Sequence, residues 1–208
     1  MRYAYADPPY PGLGHLYPEN AEVDHGELLD RLIGGYPDGW ALSTNSRGLW
    51  EVIPLVKERN PAGQPRIAIW HIPDAMPFGV GHPQGRDSRI EYTWEAVIFC
   101  GGRGREADPC ADLATIARPD RRHRRFMGRK PEAFAVWVCR LLGVRQGDQV
   151  ADLFPGSGAF GHSVERFLAQ LPLPKAPRQA YRRSGKHRDS RGRLPAQDGL
   201  PLEGEAAG

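Results

Sequence analysis

Near its amino end the chain runs Tyr3-Ala4-Tyr5-Ala6 and then meets Asp7-Pro8-Pro9-Tyr10-Pro11-Gly12. The apolar run reads as a buried strand. Proline has no N–H and a fixed φ, so neither Pro8 nor Pro9 can continue a ladder, and each drives the residue before it into extended geometry. The backbone therefore leaves the sheet as a stiff, open loop. Asp7 stands at the carboxyl end of the strand, the edge where open α/β sheets place their ligands. Such a loop offers a carboxylate oxygen, a free carbonyl on Pro8 and the flat face of Tyr10. Two acceptors beside an aromatic plate suit a planar ring bearing an exocyclic amine. A strand end followed by a proline-rich turn explains the same four residues without a ligand.

Far downstream, Gln149 to Phe154 reads as another strand, running through Asp152-Leu153-Phe154-Pro155 into Gly156-Ser157-Gly158 and then a helix. The glycines let backbone approach a ligand closely, and a helix N-terminus favours anionic groups. Between these stretches the hydrophobic periods alternate. A helix is expected from Asp24, its N-cap, to Tyr36 on Leu28, Leu29, Leu32 and Ile33. A strand over 39–44 follows, then a helix over 49–58 that Pro54 restricts or breaks. Strands over 65–70 and 91–100 precede helices over 133–142 and 159–170. This alternation is that of a doubly wound, mostly parallel α/β sheet. The 208 residues suffice for one such core and not for two.

The two stretches together resemble the amino-group class of S-adenosylmethionine-dependent DNA methyltransferases. Asp7-Pro8-Pro9-Tyr10 matches the catalytic motif and Asp152-Leu153-Phe154-Pro155-Gly156-Ser157-Gly158 the cofactor motif. The catalytic motif comes first, which is the permuted order of one subgroup. Lys130-Pro131, ahead of a hydrophobic helix, matches a further cofactor-side element, and the short form looks most like methylases carried by phages and prophages. The resemblance covers roughly residues 1–171 and implies a Rossmann-like sheet with one antiparallel strand near its edge. In that family the target base is flipped from the duplex, which exposes an amine otherwise buried in pairing.

By this likeness Tyr10 stacks on the flipped ring while Asp7 and the Pro8 carbonyl accept the two amine hydrogens. Asp152, Phe154, Gly156, Ser157 and Gly158 would line S-adenosylmethionine, flanked by Lys130 and Pro131. Asp at the head of the tetrad favours adenine N6 over cytosine N4. Cytosine N4, RNA, and a catalytically silent nucleic-acid-binding subunit are the alternatives. Family members continue past the cofactor helix with two more strands, and here the sheet is expected to stop. A partner chain or a homodimer mate is one way to complete the site.

Charge sharpens the partner. The net charge of +3 is modest, but Arg118 to Lys130 carries seven Arg or Lys against one acid. Arg118, Arg121, Arg122, Arg124, Arg125 and Arg129 suit phosphate contact, with solvation the plainer account. The loops 71–89 and 103–130 are the candidate DNA-facing segments; His71 and His82 lack partners at metal spacing, so no metal is expected. Cys100, Cys110 and Cys139 make neither a disulfide framework nor a zinc site, which suits the reducing cytoplasm of a bacterial or phage-infected cell. No membrane-length apolar run occurs. Residues 172–208 lack the apolar content to bury a core and read as a disordered basic tail.

Overall fold

Alternation along β1 (Arg2–Ala6) divides its side chains between two cores: Tyr3 and Tyr5 face one, Ala4 and Ala6 the other. The neighbouring strands β2 (Gly39–Thr44) and β4 (Trp94–Gly101) repeat the division, with Ala41, Val97 and Phe99 on the first face and Trp40, Leu42 and Ile98 on the second. A strand buried on both faces needs a helical layer on each side. Helices α1 (His25–Gly35) and α2 (Leu49–Arg59) supply Leu28, Leu29, Leu32, Val52 and Val56 to the second face. Helices α3 (Glu132–Leu141) and α4 (Ala159–Gln170) supply Phe134, Val138, Phe160 and Val164 to the first. The computed structural model describes residues 1–17, 22–73, 92–103, 107–118 and 129–172.

With β3 (Arg66–His71), β5 (Leu113–Thr115) and β6 (Gln149–Asp152) the sheet has six strands in the order β5-β3-β4-β2-β1-β6. The pairs β1–β2, β1–β6 and β3–β5 are parallel, and β4 runs antiparallel to both its neighbours. The expected α/β sheet with one antiparallel strand is therefore present. That strand lies inside the sheet, third from the β5 edge, rather than near an edge. On the other side β6 is the edge strand, and among the described residues no strand follows α4.

Asp24 caps α1 as expected, its carboxylate accepting the N–H groups of Gly26 and Glu27 at 2.7 and 3.0 Å. Pro54 does not break α2, which runs unbroken from Leu49 to Arg59. Its ring is exposed, and the carbonyl it leaves unpaired belongs to exposed Trp50, where water can satisfy it. Strand β5 was not expected within the basic stretch. It is fixed from outside its own sequence: the indole N–H groups of Trp70 and Trp137 donate to the carbonyls of Ile116 and Ala111 at 2.8 and 2.9 Å. Gly101 extends β4 one residue past its expected end. Among the described residues no helix is long and apolar enough to cross a membrane. The tail expected to be disordered falls, from residue 173 on, outside the described residues.

Candidate active site

Strands β1 and β6 lie side by side in parallel, Tyr5 opposite Asp152, and the N–H of Leu153 donates to the Tyr5 carbonyl at 2.9 Å. From β1 the chain goes on to the α1 face, and from β6 to the α4 face. Between them the winding reverses, which is the switch point where open α/β sheets bind ligands. Two segments more than 140 positions apart in sequence thus leave the sheet from adjacent strands at the same edge. Phe160 of α4 stacks on Tyr5 with ring centroids 3.9 Å apart, tying the two further.

Asp7 follows β1 directly, and Pro8 and Pro9 behind it are buried. Because β4 is antiparallel, its beginning lies where the parallel strands end, and Glu95 there joins Asp7. Glu95 Oε2 accepts the Tyr10 hydroxyl at 2.8 Å and the Lys130 ammonium at 2.9 Å, while Oε1 pairs with Arg118 at 2.9 Å. Lys130 also reaches Asp7 Oδ1 at 3.0 Å. The Tyr10 oxygen lies 3.4 Å from both Asp7 Oδ1 and Lys130 Nζ. Pro131, the N-cap of α3, holds the chain extended just after Lys130. The ammonium sits 5.4 Å from the Trp70 ring centre and 5.6 Å from that of Phe134, close enough for cation–π attraction.

Four charges thus meet in a nearly closed space, two of each sign. Burial works against the Lys130 ammonium, but Asp7 and Glu95 outweigh it and raise its pKa above the ordinary lysine value. Burial likewise pushes Glu95 up, yet Lys130, Arg118 and the hydrogen bonds prevail and hold it below the usual carboxylate value. For Asp7, burial wins: assisted by repulsion from Glu95 and opposed by Lys130, it leaves the carboxyl above its ordinary value. The Tyr10 hydroxyl, buried beside both carboxylates, is pushed far up and stays protonated. The site thus disfavours the charged form of Asp7 and favours that of Glu95.

On the β6 side, burial raises Asp152, partly offset by the N–H groups of Phe154, at 3.2 Å, and Gly161. Residues Pro155 to Gly158 are exposed. Gly156 and Gly158 have φ of +47° and +72°; a Cβ on Gly158 would meet nothing within 4 Å, and one on Gly156 only the Phe154 carbonyl at 3.9 Å. Bare backbone thus fronts open space at the start of α4, where no acidic side chain occupies the first turn.

The structure brings Asp7, Pro8, Pro9, Tyr10, Lys130 and Pro131 together. It places Asp152, Phe154, Gly156, Ser157 and Gly158 on the adjoining strand end and loop. The charged contacts of Lys130 run to Asp7 and Glu95. Arg118 faces inward onto Glu95 and over the Trp70 ring at 5.9 Å, and Arg129 is exposed. Arg121, Arg122, Arg124, Arg125 and His82 lie outside the described residues, as do much of 71–89 and of 103–130. His71 pairs with Thr115 Oγ1 at 3.2 Å. No group of metal-ligating side chains occurs among the described residues. Glu95 escaped the reading of motifs, although a carboxylate inside Trp94-Glu95-Ala96-Val97-Ile98-Phe99 is itself a signal, since a charge in a buried strand requires a partner. A shallow groove of about 690 Å³ between residues 109–113 and α3 shares none of the clustered side chains.

No family model matches this sequence, and no curated protein matches it. Solved structures do match in shape. The crystal structure of the M1.HpyAVI–SAM complex superposes with a TM-score of 0.57 at 15% identity, covering 80% of this chain and 78% of that one. The PvuII DNA methyltransferase, described as cytosine-N4-specific, gives 0.55 at 15% identity, covering 80% and 71%. At such identity the likeness establishes the fold.

Proposed function

We propose that this chain transfers a methyl group from S-adenosylmethionine to an exocyclic amine of a base in DNA, with adenine N6 as the target. The observation that carries the reading is the adjacency of β1 and β6, with Asp7 beyond one and the Gly156–Gly158 turn beyond the other. Both structures cited above are methyltransferases or complexes with SAM by their own titles, which supports the reaction class. The choice of adenine rests on Asp at the head of the tetrad.

The residues fit the cofactor. Positive-φ glycines with open space where a Cβ would stand, ahead of a helix start with no acidic side chain in its first turn, make a cradle for a carboxylate-bearing chain. Asp152, Phe154, Gly156, Ser157 and Gly158 would hold it, with Lys130 and Pro131 alongside. When bound, S-adenosylmethionine supplies an electrophilic methyl carbon, whose bond to sulfur breaks onto sulfur as the amine lone pair forms the new N–C bond. Asp7 and the Pro8 carbonyl accept the amine hydrogens, which directs that lone pair out of conjugation with the ring. Asp7 then receives the proton that the methylated nitrogen sheds. Tyr10, held by its hydroxyl, offers its face to the flipped ring, a contact worth about 1–3 kcal/mol for a base on an aromatic side chain. Positioning carries most of the rate, and no nucleophilic Ser or Cys is needed. Cys139 is buried, with its thiol pushed up to about 12 by desolvation, and takes no part.

The test is transfer of labelled methyl from S-adenosylmethionine to unmodified DNA, followed by nucleoside mass spectrometry. N6-methyladenine that disappears in Asp7→Ala, with DNA binding retained, supports the proposal. N4-methylcytosine keeps the reaction and overturns the base, a reading favoured by the likeness to a cytosine-N4-specific enzyme. Absence of both transfer and cofactor binding points to a chain that acts only with a partner beside the β6 edge.

A further inference from the structure

Glu95 belongs to no motif that the chemistry above uses, yet it has more charged and hydroxyl partners than Asp7 does. It touches Tyr10, Lys130 and Arg118 at 2.8, 2.9 and 2.9 Å, and its side chain is 9% exposed. Asp7 must offer free lone pairs to an amine, but in this geometry Lys130 lies 3.0 Å from one of its oxygens. An ammonium that belonged to Asp7 alone would occupy the acceptor that the substrate needs. Here the same ammonium has a second carboxylate at 2.9 Å, as near as the first, and Arg118 steadies that carboxylate from its other oxygen.

We infer that Glu95 is a positioning residue: it fixes the Tyr10 ring through its hydroxyl and draws Lys130 off Asp7, so that the Asp7 carboxylate is free to receive the amine. This rests on the methyl-transfer reading. The arrangement is charge-balanced, so Lys130 can shift wholly to Glu95 when an amine arrives without leaving any cation unpaired. The groups that face Asp7 and Glu95 come from several sides of the site: Tyr5 on β1, Tyr10 on the loop of Asp7, Tyr17 past the 3₁₀ turn Gly14–Leu16, Tyr92 ahead of β4, Arg118 after β5 and Lys130 ahead of α3, while Asp152 on β6 acts on Tyr5. Of these Lys130 and the Tyr10 hydroxyl touch both carboxylates, and Lys130 is the one that does so with charge.

The experiment measures single-turnover methyl transfer at saturating S-adenosylmethionine across a pH series, for the full chain and for Glu95→Gln, Lys130→Met and the double variant, with folding checked by circular dichroism. Gln keeps an acceptor for Tyr10 but cannot hold the ammonium by charge. The expected loss in Glu95→Gln is about 10- to 100-fold, the scale of a small misplacement at a reacting centre. Its acid limb should move to lower pH, because Asp7 loses a repelling neighbour and gains the undivided ammonium. In the Lys130→Met background, the same Glu95→Gln change should cost little or even raise the rate, since no cation remains to be drawn away. That comparison also stands if the single Glu95→Gln chain fails to fold, because the double variant again balances one carboxylate with one cation. Equal rates for wild type and Glu95→Gln overturn the inference and leave the function intact. So does an unmoved acid limb together with the same fractional loss in both backgrounds, the mark of a merely structural residue. A wild-type chain that transfers no methyl overturns both readings at once.

Discussion

Lys130→Met tests what the central ammonium does for the fold itself. The Lys130 side chain is 6% exposed and its partners Asp7 and Glu95 are 20% and 9% exposed, so solvent screens these pairs little. Methionine retains most of the stem that packs on Trp70 and Phe134 but leaves Arg118 alone to balance two carboxylates. Removing one partner of a buried ion pair costs about 3–5 kcal/mol. In a chain of this size each kcal/mol lowers Tm by about 2–4 °C, so the midpoint should fall by roughly 6–20 °C at neutral pH. The pH dependence has a definite sign. In wild type the depressed Glu95 contributes stability above the ordinary carboxylate value, and loses it as pH falls through the depressed one. The raised Lys130 contributes below the ordinary lysine value and loses it only as pH rises through the raised one. In the variant both carboxylates lose their main support, so their ionised forms burden the fold until acid protonates one. The gap between wild type and variant should therefore be wide above the carboxylate range and narrow on entering it. Thermal unfolding followed by circular dichroism over a pH series reads this directly. A gap that stays constant with pH, or a midpoint that does not move, would refute the account of the cluster.

Two glycines offer sharper steric tests. Gly48 has helical φ and ψ, so alanine is conformationally welcome, but its Cβ would overlap Thr44 Oγ1 and lie 3.1 Å from Pro11 Cδ, next to Tyr10. Gly48→Ala should cost roughly 1–2 kcal/mol net, the overpacking less the gain in helix propensity, read as Tm. Displacing Pro11 should slow methyl transfer by about tenfold more than that stability loss explains. Gly158 has φ of +72° and open space around its Cβ direction. Gly158→Ala should therefore lose about 1–2 kcal/mol from backbone strain alone. Calorimetric titration should also show weaker S-adenosylmethionine binding by about tenfold, as the turn relaxes away from its cradle.

Local signals carried much of this fold. The prolines after β1, the Asp24 cap, the strand and glycine turn ahead of α4 and the apolar stripes of α1 and α3 are all written within a few residues of where they act. What escaped depends on partners far along the chain. No local signal says that β4 inserts between β2 and β3, because that order is decided by which strands bury their faces best. The three residues of β5 become a strand only because β3 and two tryptophans hold them. Glu95 acquires its role through both circumstances: the antiparallel course of β4 brings it to the Asp7 edge, where Lys130 and Arg118 arrive from beyond β5. Pro54 misled for the opposite reason. A rule about interior proline assumes a carbonyl with nowhere to turn, and Trp50 faces water.

The pairing of β1 with β6, from Arg2 opposite Gln149 to Tyr5 opposite Asp152, has a consequence for how such a molecule can change over generations. A slip of one rung would turn every β6 side chain to the wrong face and spoil both cores. On the proposed chemistry, the spacing of donor and acceptor is thus inherited from the same hydrogen bonds that make the chain foldable. Selection for a folded protein preserves that spacing without ever sensing the reaction. On the same proposal, segments that read the target would be left free to drift, so new target preferences could arise while the catalytic alignment stayed as it was.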